Sequence, residues 1–89
     1  MKRFVWDIGK NEKLIKERGI SFEEAVIYIQ QGKVLDIVDN PRYAGQKFFV
    51  VDIQGYVYLV PFEETEESYI LKTVFTSRKA TRDYLARGD

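Results

Sequence analysis

Ile8, Asn11, Leu14 and Ile15 fall on one side of residues 8–17 at helical spacing, and Lys10, Lys13 and Lys16 fall on the other. This pattern predicts a helix. Asp7 stands where an N-cap accepts a free backbone N–H, and Gly19 stands where helices commonly end on a left-handed residue. The next segment carries a stronger signal. In Ser21-Phe22-Glu23-Glu24 a cap hydroxyl and a carboxylate three residues on can satisfy each other's backbone donors, which starts a second helix. Ile20 before the cap and Ala25 inside the helix can staple that boundary. Phe22, Ala25, Val26 and Ile29 form the apolar stripe, and Gly32 closes the helix.

Elsewhere the period is that of strands. Residues 3–6 predict a short strand, and residues 33–39 a second. Asn40-Pro41 opens a loop that holds Arg42, Tyr43, Gly45 and Gln46. Residues 47–53 are nearly all apolar, Gln54-Gly55 is a tight-turn signal, and residues 56–62 form the hairpin partner. An acidic connection over 63–67 leads to a last strand over 69–75. Thr76 or Ser77 then caps a final helix over 77–87. The linkers of the last three strands are too short for parallel crossovers. The expected fold class is α+β: an N-terminal short strand and two helices, a small antiparallel β-meander, and a C-terminal helix. No linker or repeat divides residues 1–89, so a single domain is expected.

Composition narrows the chemistry. The 89 residues contain no cysteine and no histidine. Disulfides and thiolate metal sites are excluded, and so are the commonest general base and metal ligand. No metal and no cofactor is expected. The acidic run over 63–67 has no ligand spacing and reads as a solvated turn. No apolar run approaches the roughly 20 residues of a membrane helix. The first residues lack a signal-peptide core, so a cytoplasmic protein with no membrane partner is expected. Formal net charge is zero, yet residues 1–20 and 72–89 each carry a balance of +3, against −6 between them. Two basic ends either bring cations together on one side of the fold or are ordinary surface charge.

The last helix is the most informative segment. Arg78 and Lys79 lie in its first turn, where the helix dipole disfavours cations, and Arg82 repeats the charge four residues after Arg78. Free N–H groups flanked by two cations suit a phosphate. The plainer reading is that Asp83 neutralises Lys79 and Arg78 faces water. Lys10, Lys13 and Lys16, with Arg18 beyond them, either extend that anion-binding surface or are an ordinary solvated face. Arg42 and Tyr43 sit in a loop, where binding residues concentrate and where Tyr43 can stack on a base. Trp6, Tyr56, Tyr58 and Tyr69 read as packing residues. Tyr84 is the exception, since it follows Arg82 on the basic helix.

Trp6-Asp7, Lys10-Asn11, Gly19-Ile20-Ser21-Phe22-Glu23-Glu24-Ala25 and Ser77-Arg78-Lys79-Ala80-Thr81-Arg82 together resemble the BrnT family of toxins, in the right order and over nearly the whole chain. These are RelE-like α+β domains of bacterial type II toxin–antitoxin pairs. The resemblance implies an RNA-cleaving toxin that blocks translation, on the ribosome or away from it, and that a ribbon-helix-helix antitoxin neutralises. The assembly would be a homodimer or a toxin–antitoxin hetero-oligomer. Carried over by position, Arg78, Lys79 and Arg82 are the expected catalytic residues. Lys10, Lys13, Arg18, Arg42, Thr81 and Tyr84 are the expected RNA contacts. Two departures from the common pattern stand out. Glu17-Arg18-Gly19 stands where Lys-His-Gly is common, and Thr73 stands where the last strand often carries Arg. Lys72 is one place away and, in a regular strand, is expected to face the opposite side. The Thr73 departure motivates the alternative reading, a catalytically inactive module that binds protein or nucleic acid. A small-molecule enzyme or metalloprotein has no supporting motif.

Overall fold

A computed structural model describes residues 2–85. The chain opens with β1 (Arg3–Val5) and passes through Asp7, whose carboxylate accepts the Lys10 N–H at 2.8 Å and caps α1 (Ile8–Arg18). Gly19 ends this helix at φ 70°. Ser21 and Glu24 form the complete capping box of α2 (Phe22–Gln30). Asn11 adds to it from α1: its Oδ1 accepts the Phe22 N–H at 2.7 Å and its Nδ2 donates to Glu23 at 2.8 Å. These bonds let a polar side chain lie 8% exposed between two helices.

The strands are β2 (Val34–Asp39), β3 (Lys47–Ile53), β4 (Tyr56–Glu64), β5 (Ser68–Leu71) and β6 (Phe75–Thr76), followed by α3 (Arg78–Tyr84). The sheet runs β1-β5-β4-β3-β2, with β6 paired to β4. The α+β class and the antiparallel meander agree with the sequence. Three features differ. β1 joins the sheet parallel to β5, with Phe4 opposite Tyr69, so the sheet is mixed. The two helices and the three strands β2, β3 and β4 lie between β1 and β5 and supply the long connection that a parallel pair requires. The expected strand over 69–75 is broken at 72–74, where the Lys72 N–H still reaches the Pro61 carbonyl at 2.8 Å. Glu63 and Glu64 belong to β4 rather than to a turn, opposite Ile70 and Tyr69. Glu63 pairs with Lys72 at 3.1 Å, and Glu64 pairs with Lys2. The expected extension of α3 to residue 87 lies outside the described residues.

Side chains alternate between the two faces of the sheet. Phe49, Val51, Val60 and Phe62 join Leu14, Ile20, Phe22 and Ala25 in the main core. Phe49 and Phe62 stack with centroids 4.0 Å apart, and Trp6 stacks on Phe22 at 5.6 Å. α1 meets this core along a narrower line than its apolar pattern predicts. The line runs through Asn11 and Leu14, while Ile8 and Ile15 lie off it, 75% and 50% exposed. The opposite face carries Phe48, Val50, Leu59 and Pro61, since Val50 pairs with Leu59 and Phe48 with Pro61. α3 lies over part of that face, against Val50 and Leu59.

Candidate nucleic-acid interface

α3 is too short to cover its whole face. Beside it Phe48, Pro61 and Phe75 floor an open cleft of about 710 Å3. Phe48 and Phe75 meet edge to face at 6.1 Å, which fixes both rings. Three cations from separate elements line this cleft: Lys10 from α1, Arg42 from the β2–β3 loop and Lys72 from the break between β5 and β6. Tyr43, Asn40, Gln46 and Thr73 complete the wall, and no Asp or Glu lines it. Lys72 is partly neutralised by Glu63 outside the lining. Among the described residues, the side chains of Lys10 and Arg42 have no hydrogen-bond or ion-pair partner.

The loop that presents Arg42 and Tyr43 is closed at its base. The Asn40 N–H donates to the Gln46 carbonyl at 3.0 Å, and the Gln46 N–H to the Tyr43 carbonyl at 3.1 Å. The buried Asn40 side chain accepts the Arg42 N–H at 2.9 Å and donates to Gln46 Oε1 at 3.3 Å. Gly45, at φ 84°, permits the reversal. Arg42 therefore projects from an ordered base.

The strand break is held by Arg18. Its guanidinium donates to the Val74 carbonyl at 2.6 Å and reaches Thr73 Oγ1 at 3.4 Å. The break removes the alternation expected of neighbouring strand residues, so Lys72 and Thr73 line the same cleft. The expectation that they face opposite sides fails for this reason. Arg18 and Thr73, which belong to the two departures from the pattern the sequence resembles, touch each other. A second hollow of about 310 Å3 continues from the first; it shares Lys10, Lys72 and Thr73 and adds Lys13, Glu17 and Arg18. Lys10, Lys13, Arg18 and Arg42 are thus brought to one connected surface. Part of Arg18's bonding capacity is turned inward to the Val74 carbonyl.

The residues of α3 lie differently. Lys79 is held by Asp83 at 2.9 Å, and this bond lowers the Asp83 carboxyl below its ordinary pKa. Arg82 Nε approaches Asp83 at 3.8 Å. Ser77 Oγ takes the Ala80 N–H at 3.0 Å, which uses one donor expected to face an anion. Thr81 is a docking residue: its Oγ1 accepts the Val57 N–H at 2.8 Å and donates to the Ser77 carbonyl at 2.7 Å. The Tyr84 hydroxyl donates to Asp36 at 2.7 Å, and stabilisation of the protonated phenol raises its pKa. Arg78 has no side-chain partner among the described residues. A groove of about 390 Å3 between α3 and the sheet is lined by Lys79 and Tyr84, and it shares Pro41 and Phe48 with the cleft. α3 therefore forms one bank of the surface, while the cations that surround an apolar floor are Lys10, Arg42 and Lys72.

The sequence did not single out Asn40, Gln46, Phe48, Pro61, Lys72 or Phe75 as site residues. Their signal was weak, because each reads as an ordinary loop or strand residue. Among the described residues, no group of three or more Asp or Glu side chains could hold a metal ion, and no helix is long and apolar enough to cross a membrane. No protein-family model matches the chain, and no curated protein matches it.

Proposed function

We propose that this protein is a BrnT-like toxin that binds and cleaves RNA, with the cleft of Lys10, Arg42 and Lys72 as the place where the RNA chain is gripped. The observation that carries the reading is the convergence of three cations from three elements on an aromatic floor, with no carboxylate in the lining. Cations hold phosphates by charge, and aromatic faces stack unpaired bases. A small-molecule pocket of this openness would lack the enclosure such ligands need. The order of sequence motifs that resembles the BrnT family supports the same class, and it implies a ribbon-helix-helix antitoxin as partner.

Cleavage without a metal would use the RNA's own 2′-hydroxyl. Its oxygen attacks the adjoining phosphorus and its proton passes to a base. The P–O5′ bond breaks, and an acid protonates the leaving 5′-oxygen. The products are a 2′,3′-cyclic phosphate and a 5′-hydroxyl. Lys10, Arg42 and Lys72 would stabilise the charge that grows on the phosphoryl oxygens, which is often the largest catalytic contribution. Lys10, Lys72 and Tyr43 are the cleft groups that carry transferable protons. Arg78 and Arg82 on α3 would extend the contact along the strand.

The absence of any carboxylate or histidine from the lining favours a second reading, in which RNA is bound and not cut. Induced expression separates the two. Growth arrest with RNA degradation in the wild type, relieved in a Lys10→Ala, Arg42→Ala variant, supports the toxin. RNA binding with intact RNA and normal growth supports the binding module. Intact RNA with no RNA binding overturns both.

A further inference from the structure

The charged and amide side chains of the cleft wall, Lys10, Arg42, Gln46 and Lys72, present hydrogen-bond donors, and from this we infer that the cleft selects guanine in single-stranded RNA. The inference rests on the RNA-binding reading above. Its starting point is the buried Asn40, 8% exposed. The Arg42 backbone N–H can only donate, so the side-chain atom of Asn40 that meets it at 2.9 Å is the oxygen. The Asn40 NH2 then faces Gln46, so the Gln46 atom it meets at 3.3 Å is also an oxygen. Gln46 is left with its own NH2 group, which makes no hydrogen bond to the described residues. An amide that could have offered either sense is thereby fixed as a donor in a cleft it lines.

Arg42 directly follows Pro41 and precedes Gln46 in the same closed loop, and its guanidinium carries donors only. Of the four bases, guanine alone presents two adjacent acceptors, N7 and O6, with no donor between them. Adenine places an amino group beside N7, cytosine carries an amino group on the corresponding edge, and uracil offers only the single acceptor O4. A guanine ring against Phe48 and Phe75 can turn that edge to Gln46 and one arm of the Arg42 fork, while the other arm of Arg42 stays with Lys10 and Lys72 on the phosphates. A base paired in a duplex cannot enter, because its face is covered by neighbouring pairs.

The test is fluorescence anisotropy with labelled oligouridine carrying one central guanosine, adenosine or 7-deazaguanosine. The guanosine strand is expected to bind about tenfold tighter than the adenosine strand. The 7-deazaguanosine strand, which lacks the N7 acceptor, is expected to lose most of that advantage. In Gln46→Glu the Asn40 bond can still form, but the free donor becomes an acceptor, so the guanosine-to-adenosine ratio should collapse toward one with the melting temperature little changed. Binding of all strands with equal affinity overturns the guanine assignment and leaves RNA binding standing. A guanosine preference that persists in Gln46→Glu overturns the role of Gln46. Failure of every strand to bind overturns the proposed function and this inference with it.

Discussion

Asn11 shows how a single residue can serve packing with polar atoms. Its place on the apolar side of the first helix was legible from spacing, and its burial follows. Its partners were not legible, because Phe22 and Glu23 lie in another helix. Asn11→Ala removes both bonds and leaves the Phe22 N–H without a partner in a buried place. The expected loss of stability is about 1–3 kcal/mol, read from urea unfolding. The Asn11 bond also lowers the Glu23 carboxyl below its ordinary value of 4.5. A depressed folded-state pKa contributes stability that is present above the unfolded value and lost as pH falls through the folded one. Acid unfolding curves of the wild type and Glu23→Gln should therefore converge below pH 4.5 and separate above it. Arg18 makes the complementary point. Its charge suggested an RNA contact, yet its guanidinium spans 55 residues of sequence to reach Thr73. Only the fold could place those two side chains together.

Elements were legible where local chemistry decides them. The Asp7 cap, the Ser21–Glu24 box, the Gly19 terminus and the Gln54-Gly55 turn all form as their residues dictate. In the turn Gln54 and Gly55 adopt φ 55° and 85°, as a two-residue hairpin of this hand requires. Gly55→Ala should destabilise the hairpin by about 1 kcal/mol or more in thermal unfolding, since alanine resists positive φ. Elements decided by distant partners were not legible. Residues 72–74 have the composition of a strand, and their break depends on Arg18. β1 reads as a lone strand, and its parallel pairing with β5 depends on the two helices and three strands that lie between them. α3 buries none of its residues and is held by Ser77, Thr81 and Tyr84. Ser77→Ala should cost about 1 kcal/mol. It should also speed amide exchange in α3 while the core strands stay protected.

At the scale of the molecule, the segregation of charge along the chain becomes a surface. Lys10 and Lys13 come from the basic start, Lys72 from the basic end and Arg42 from the acidic middle. The sequence suggested that the ends could converge. It could not show that they converge around Phe48 and Phe75, because strand alternation assigns a face only once the sheet exists. If Lys10, Arg42 and Lys72 each displace a counterion from a single strand, the logarithm of the binding constant should fall with the logarithm of salt at a slope of about −2. Arg42→Ala should make that slope shallower by about 0.7.

The most direct measurement is the affinity of a labelled single-stranded RNA for the wild type and for Lys10→Ala, Arg42→Ala at one fixed salt concentration, with unfolding curves run on both. The cleft as the RNA site predicts a loss of at least about tenfold in affinity, from two removed phosphate contacts, with stability unchanged. Equal affinity in the two proteins would contradict it and would move the RNA-binding surface away from the cleft.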